Sequence, residues 1–393
     1  MTVVVRPIRT GWVVTGLVPG PDVDEFAEAD RVTAALAGPG AAGDTLLAVQ
    51  HPHRTPSALR EGLSLLDALP IATDVLGRLL RTAYREVSDV VALYRVSGPD
   101  GTAVGMLCLA DPAVVDADGR ARVRHSERVY PDVVAERAAV LAGLGCATSA
   151  AMLIPVTDGA DLTRAVADVV DRSGEPEVSI TDSAGRHHEL WLLGPGPDQD
   201  TLIATAQRHP LLVADGNHRV AAAAASTPSG LLALITGGPD LRVGAIHRAL
   251  VGTGRSPADL MAAWRRVGLT VADTDPTATP PDHPGSVLVR AGERALVVRL
   301  PDPEPGEPLP RIDHGVVEHL LIGEALGIDP AGPNLRALPE GTTPATDVDA
   351  VLLFAAVPYA DVLAVHEQGR RMPRKSTYFT PKPRSGLLLA ALL

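Results

Sequence analysis

Apolar and polar positions along this chain keep two rhythms, one of helical period and one that alternates strictly. Leu59–Leu69 has the helical rhythm and is expected to stop at or before Pro70, which removes a backbone donor and clashes with the preceding turn. Val75–Ser88 reads as a second helix capped by Asp74. Val90–Val96 and Ala103–Leu109 alternate on either side of Gly98-Pro-Asp-Gly101, which predicts a hairpin. Asp116-Ala-Asp-Gly119 is a further turn. Pro131–Leu144 returns to the helical period with Pro131 and Asp132 in its first turn. Ala151–Pro155 is a short apolar strand, Asp161–Arg172 a helix, and His188–Leu193 a strand after the Ala184-Gly-Arg turn.

The central stretch begins with a strand, Leu211–Ala214, then Asp215-Gly-Asn-His-Arg and an Ala-rich helix, Val220–Ala225. Leu231–Ile235 and Val243–Ile246 are strands, and Ser256–Val267 is a helix with a Ser cap before Pro257. Ser286–Val289 and Ala295–Leu300 form a hairpin through Ala291-Gly-Glu. Pro301–Pro310 reads as a linker or exposed loop. Helix His314–Leu326, strand Val348–Val357, helix Tyr359–Gly369 and a closing strand Gly386–Leu393 complete the pattern. The fold class is mixed α/β with hairpins. Three stretches are expected: an N-terminal α/β region over 1–185, a core over 186–300 and a C-terminal α/β region over 301–393.

With 393 residues, 46% of them apolar, the chain can build an ample globular core. Its net charge of −12 and 3% aromatics argue against general nucleic-acid binding and base stacking. Cys108 and Cys146 have no metal-ligand spacing and read as buried thiols. Met1-Thr-Val-Val-Val-Arg is no signal peptide, and no apolar run reaches the ~18 residues that span a bilayer, so a cytoplasmic location is expected.

Charge chemistry changes the picture most at the C-terminal end. Only two lysines occur, Lys375 and Lys382, both within Met372–Gly386, whereas the other basic side chains are arginine. An ammonium is a compact point charge and does not substitute for a planar guanidinium fork, so this confinement points to a site. Asn is equally scarce, and Asn217 lies in Val213-Ala-Asp-Gly-Asn-His-Arg219. That segment lies where a strand gives way to a helix, whose first amides lack intrahelical partners and whose dipole is positive there. Gly216 allows close backbone approach, and Arg219 offers a fork for phosphate or carboxylate. Asp215 could cap the helix, hold a magnesium ion or take a proton from a substrate hydroxyl.

Two further polar groups stand out, His247-Arg248 after a strand and His125-Ser-Glu-Arg128. With the lysines they make an anion-binding set with one or two carboxylates, which suits a polyphosphate held by cations while a carboxylate orients an incoming hydroxyl. There is no Walker loop, no Gly-x-Gly-x-x-Gly after a strand and no Gly-x-Ser-x-Gly elbow. His51-Pro-His53 lacks a third ligand nearby in sequence, so zinc is not expected.

Along most of its length the chain resembles the bacterial and archaeal domain-of-unknown-function 1015 family. The family's Ala-Asp-Gly-His-His-Arg-Tyr block is similar to Ala214-Asp-Gly-Asn-His-Arg-Val220, and its Thr-His-Arg strand end to Ile246-His-Arg248. Its closing block, Met-Pro-Pro-Lys-Ser-Thr-Tyr-Phe-Tyr-Pro-Lys, is matched almost throughout by Met372–Lys382, which includes Ser376 and Thr377. Its His-Glu stretch and Asp-Arg helix resemble His125–Arg137, with Glu127 and Arg137 at the Glu and Arg positions. The chain departs from the family in Asn217 for His, Val220 for Tyr, and Ser126 set between His125 and Glu127.

The central block also resembles that of free-serine kinases built on the ParB and sulfiredoxin type of nucleotide-binding fold. The resemblance implies such a core with N- and C-terminal α/β elaborations, and a magnesium-dependent kinase that uses ATP or ADP on a small serine-like hydroxyl metabolite. It implies phosphate binding by Gly216, Asn217, Arg219, His247, Arg248, Lys375, Ser376, Thr377 and Lys382. Asp215, Glu127 and His218 are the implied catalytic set, with Asp215 as metal ligand and Glu127 as base. A nucleotide-responsive binding module and a nucleotide or phosphoester hydrolase are the alternatives.

Overall fold

The computed structural model describes residues 3–22, 29–226, 230–303, 310–342, 344 and 347–392, and its architecture is mixed α/β. Two compact units emerge. The first holds Met1–His125, Val129–Leu241 and Pro381–Leu393; the second holds Ser126–Arg128 and Arg242–Thr380. The division at 185 and 300 is therefore not that of the fold. The closing strand Leu388–Ala391 pairs with Ile8–Val14 and Cys146–Ala147, which returns the chain's end to the first unit.

The first unit is a large mixed sheet. Its path runs Val123–Arg124, Leu211–Asp215, Ala151–Pro155, Leu231–Asp240, Gly101–Ala110, Tyr84–Gly98, Ile8–Val14, Leu388–Ala391 and Cys146–Ala147. Strand Gly101–Ala110 is buried on both faces: Leu107 and Leu109 enter one apolar cluster, while Met106, Cys108 and Ala110 enter the other. The period of two thus divides one strand between two cores. Strand Leu211–Asp215 runs antiparallel to Ala151–Pro155, but its register shifts between Val213, opposite Leu153, and Asp215, opposite Met152. The extra residue, Ala214, is a bulge, the device by which a strand re-aims the side chains that follow it.

The second unit has a six-stranded sheet in the order Thr270–Thr274, Arg294–Arg299, Ser286–Ala291, Val348–Leu353, Ile246–Val251, Leu335–Pro339. Trp264 is fully buried at its core and donates its indole N–H to the Leu321 carbonyl at 3.1 Å. Helix Pro257–Arg266 opens with a capping box between Ser256 and Asp259. A two-stranded ladder pairs Arg242–Gly244 with Tyr378–Thr380.

Three helical expectations needed revision. The helix expected at Leu59–Leu69 is instead Pro56–Glu61; Gly62 ends it in the left-handed region, and Ser64 and Asp67 then build their own turn. Pro70 does not stop a helix but sits in the first turn of Leu69–Thr82, where its missing N–H costs nothing. Val75–Ser88 splits accordingly, because Tyr84–Ser88 pair with Val14–Thr10 as strand. The helix expected over His314–Leu326 is a short α-helix, Asp313–Val316, continued by a π-helix, Val317–Glu324. Much of Pro301–Pro310 lies outside the described residues. No helix among the described residues is long and apolar enough to cross a membrane.

Candidate functional site

The first unit carries the candidate site at the turn from strand Leu211–Asp215 into helix Asn217–Ala225. Gly216 makes this turn with φ 90°, a conformation that favours glycine, and a Cβ there would meet Arg219 Nε at 2.7 Å and displace that side chain. The bulge presents the Asp215 carboxylate, and one helical turn later Arg219 folds back onto it through Nη2. The other Asp215 oxygen accepts from Lys382 Nζ at 2.6 Å. Asp215 and Lys382 side chains are 19% and 21% exposed. Two cations thus stand around one carboxylate at a helix N-terminus, an arrangement with surplus positive charge suited to an oxyanion.

What carries Lys382 there is the closing segment, anchored residue by residue. The Gly386 N–H donates to the Thr148 carbonyl at 3.1 Å, and Tyr84 Oη donates to the Gly386 carbonyl at 2.9 Å. Gly386 has φ 83°, and a Cβ on it would meet Leu46 Cδ1 at 2.2 Å. The Arg384 N–H donates to Tyr94 Oη at 3.2 Å. Tyr94 Oη in turn lies 2.7 Å from His188 Nδ1, and His188 Nε2 lies 3.0 Å from Asp182 Oδ2. The Asp182 carboxylate accepts the Nε2 proton, so Nδ1 accepts the tyrosine proton and the imidazole is neutral. Burial lowers the His188 pKa and outweighs the opposing effect of Asp182.

The remaining motif residues take positioning roles. Asn217 is buried, and its Oδ1 lies 3.3 Å from His125 Nδ1, so this amide holds His125. His218 Nε2 accepts the Tyr130 N–H at 3.1 Å, and its ring stacks on Tyr130 with centroids 5.8 Å apart. These contacts join the starts of helices Pro131–Leu144 and Asn217–Ala225.

The other expected site residues belong to the second unit. Arg248 looked like a phosphate ligand, but its guanidinium is spent on protein. It donates through Nε and Nη2 to Glu318 at 2.9 and 2.7 Å, and to the carbonyls of Lys375 and Arg374 at 3.0 and 2.8 Å. Its side chain is only 3% exposed. Arg248 is therefore the staple of the Lys375 segment. Lys375 itself takes φ 50°, and its N–H donates to Glu127 Oε2 at 2.5 Å. Ser376 is buried with its hydroxyl on the Pro373 carbonyl, and Thr377 follows half-buried. His247 is buried and its Nδ1 accepts the Phe354 N–H at 3.2 Å. Within this unit Glu127, Arg248 and Lys375 come together; Asp215–Arg219 and Lys382 come together in the first.

A family model described as "Protein of unknown function (DUF1015)" matches residues 84–314, more than half of the chain. The chain belongs to this family. No curated protein matches it. Among solved structures, a mutant free serine kinase in complex with ADP is 11% identical, with 72% of this chain and 92% of that chain covered and a TM-score of 0.40. A C-terminally truncated SbnI from Staphylococcus aureus is 13% identical, covering 72% and 87% with a TM-score of 0.42. A conserved hypothetical protein from Pyrococcus furiosus is 11% identical, covering 72% and 95%, with a TM-score of 0.39.

Within the family's motif, the geometry bears on the magnesium expected at Asp215. Both carboxylate oxygens already face cations, Lys382 on one and Arg219 on the other. A magnesium ion brought to that carboxylate would face two fixed positive charges, so the residues present do not fit a metal held by Asp215. Ser149, which no sequence pattern singles out, accepts from Arg219 Nη1 while Nη2 reaches Asp215. A lone serine in a loop carries no pattern, and only the fold reveals it.

Proposed function

We propose that this protein binds a nucleotide through its phosphates at Asp215–Arg219 and Lys382, and transfers a phosphoryl group to the hydroxyl of a small metabolite such as serine. The observation that carries this reading is the convergence of Lys382 and Arg219 on one carboxylate at a strand-to-helix turn. When a phosphate enters, the two cations and the first-turn amides of helix Asn217–Ala225 have an anion to hold, and the Asp215 carboxylate is released from them. The acceptor hydroxyl oxygen then attacks the terminal phosphorus as the bond to the bridging oxygen breaks, and the nucleotide leaves with that electron pair. The hydroxyl proton passes to Asp215, a role that needs only a carboxylate within hydrogen-bond reach. ATP and ADP are both donors compatible with such a site.

A second reading, a nucleotide-binding module without turnover, is favoured by the engagement of both Asp215 oxygens by cations. One experiment separates them. Nucleotides are first ranked by thermal shift, since a ligand at a hundredfold excess over its Kd stabilises by about 2.7 kcal/mol. The best is then incubated with hydroxy amino acids, and ADP or AMP formation is followed. Asp215→Asn should retain nucleotide binding while turnover falls sharply. Nucleotide binding without turnover across the acceptor panel establishes the module; no nucleotide binding overturns both.

A further inference from the structure

The Gln50–Arg54 segment, with its two histidines, has no part in the reading above. Helix Leu46–Gln50 ends at His51, and one turn of 3-10 helix, Pro52–Arg54, follows before Thr55 caps the next helix. This turn places the rings of His51 and His53 with centroids 6.2 Å apart. His53 Nε2 accepts from Arg54 Nε at 3.2 Å, which places the His53 proton on Nδ1. That Nδ1 atom is buried and has no hydrogen-bond partner among the described residues. Helix Pro131–Leu144 supplies Arg137, whose charge acts on His51, and Glu136, whose charge acts on His53. Burial first, and then the charges of His53, Arg137 and Arg54, push the His51 pKa down to about 4.

Beside two imidazoles whose pKa values burial lowers, Arg54 and Arg137 outnumber Glu136, a local positive surplus in a chain of net charge −12. A metal ion would be repelled by the guanidiniums, whereas an oxyanion would accept a hydrogen bond from the orphaned His53 N–H and pair with the guanidiniums. The cluster is also tied to Asp215. Gln50 Nε2 donates to Thr148 Oγ1 at 2.8 Å, and the adjacent Ser149 accepts from Arg219. One short loop therefore joins the two basic groups within the first unit.

We propose that His51, His53, Arg54 and Arg137 form a second oxyanion subsite, distinct from Asp215–Lys382, that takes a small phosphate or carboxylate group. The same chemistry has two sources, inorganic phosphate or the carboxylate of a hydroxy acid, and L-lactate stands in for the second. Calorimetric titration of the full chain at pH 6 with each probe tests the site directly. At least one probe is expected to bind with proton uptake, because an anion beside His51 favours the imidazolium that its present neighbours suppress. Arg54→Ala and Arg137→Met should each weaken that binding at least tenfold and abolish the proton uptake, while ADP affinity changes less than twofold. Lys382→Ala, which disables the first site, should leave the proton-coupled component of the probe's binding unchanged. Phosphate alone binding identifies a phosphate subsite, and lactate alone a carboxylate subsite. The proposal is overturned if neither probe binds at millimolar concentration, if the Arg54 variant binds as the wild type does, or if only Lys382→Ala removes binding. Circular dichroism checks each fold, and Arg54→Lys, which keeps the charge, decides the matter if Arg137→Met does not fold. Loss of the Asp215 reading would show in ADP affinity, and loss of this one in the oxyanion titration, so the two fail separately.

Discussion

Truncating Lys382 tests the charge arrangement at its newest member. Its ammonium lies 2.6 Å from Asp215, and both side chains are about four-fifths buried. Exposed ion pairs contribute about 0–1 kcal/mol, but this pair is shielded from most of that screening. In the free protein Lys382→Ala leaves Asp215 paired with Arg219, so the stability loss should stay near 1 kcal/mol. In the nucleotide complex the loss is that of a charge-assisted hydrogen bond to phosphate, about 1.5–3 kcal/mol. At about 1.4 kcal/mol per decade this weakens ADP binding about ten- to hundredfold. Lys382→Arg should restore part of it, since charge returns without the compact ammonium. Calorimetry with ADP reads the affinity, and urea denaturation reads the stability. An ADP affinity unchanged in Lys382→Ala, alongside a stability loss of several kcal/mol, would make the pair purely structural and remove Lys382 from the phosphate site.

Arg248→Ala should destabilise the fold by about 3–5 kcal/mol in denaturant titration, because it strands a partly buried Glu318 and two carbonyls; a loss under about 1 kcal/mol contradicts the staple. Glu127→Gln keeps an oxygen for the Lys375 N–H, so a purely positioning Glu127 predicts near-normal turnover and stability, and a sharp fall in turnover at intact stability identifies it as the base. Acid should also destabilise the fold through His314, whose pKa burial and then Arg248 lower from 6.5 to about 3. A depressed imidazole takes its proton first in the unfolded chain, so this stability is present above about pH 6.5 and is lost as pH falls toward 3. The slope is about 1.4 kcal/mol per pH unit for one proton. His314→Leu should flatten the stability–pH curve by that one proton, and an unchanged slope sinks the assignment.

Where local chemistry decides structure, the sequence was enough. Pro131 and the left-handed Gly145 bound helix Pro131–Leu144 at the expected residues, and Gly98–Gly101 turned the expected hairpin. The scarcity of lysine singled out Lys375 and Lys382 alike; Lys382 pairs with Asp215 of the Asp-Gly-Asn-His-Arg block, whereas Lys375 belongs to the second unit. The failures share a cause in tertiary contact. Arg248 has the chemistry of a phosphate ligand, and only Glu318, 70 residues on, reveals its other use. Ser149 became visible only once Arg219 lay against it. Val87 and Ser88 fit a helical pattern until pairing with Gly11 and Thr10 claimed them as strand.

If Asp215–Arg219 and Lys382 hold nucleotide phosphate, a crystal structure with ADP will show it. A phosphate oxygen should lie within hydrogen-bond distance of Lys382 Nζ, the Arg219 guanidinium and a first-turn amide of helix Asn217–Ala225, with the Lys382–Asp215 contact lengthened. ADP bound elsewhere, with the Lys382–Asp215 pair still closed at its present 2.6 Å, would contradict it.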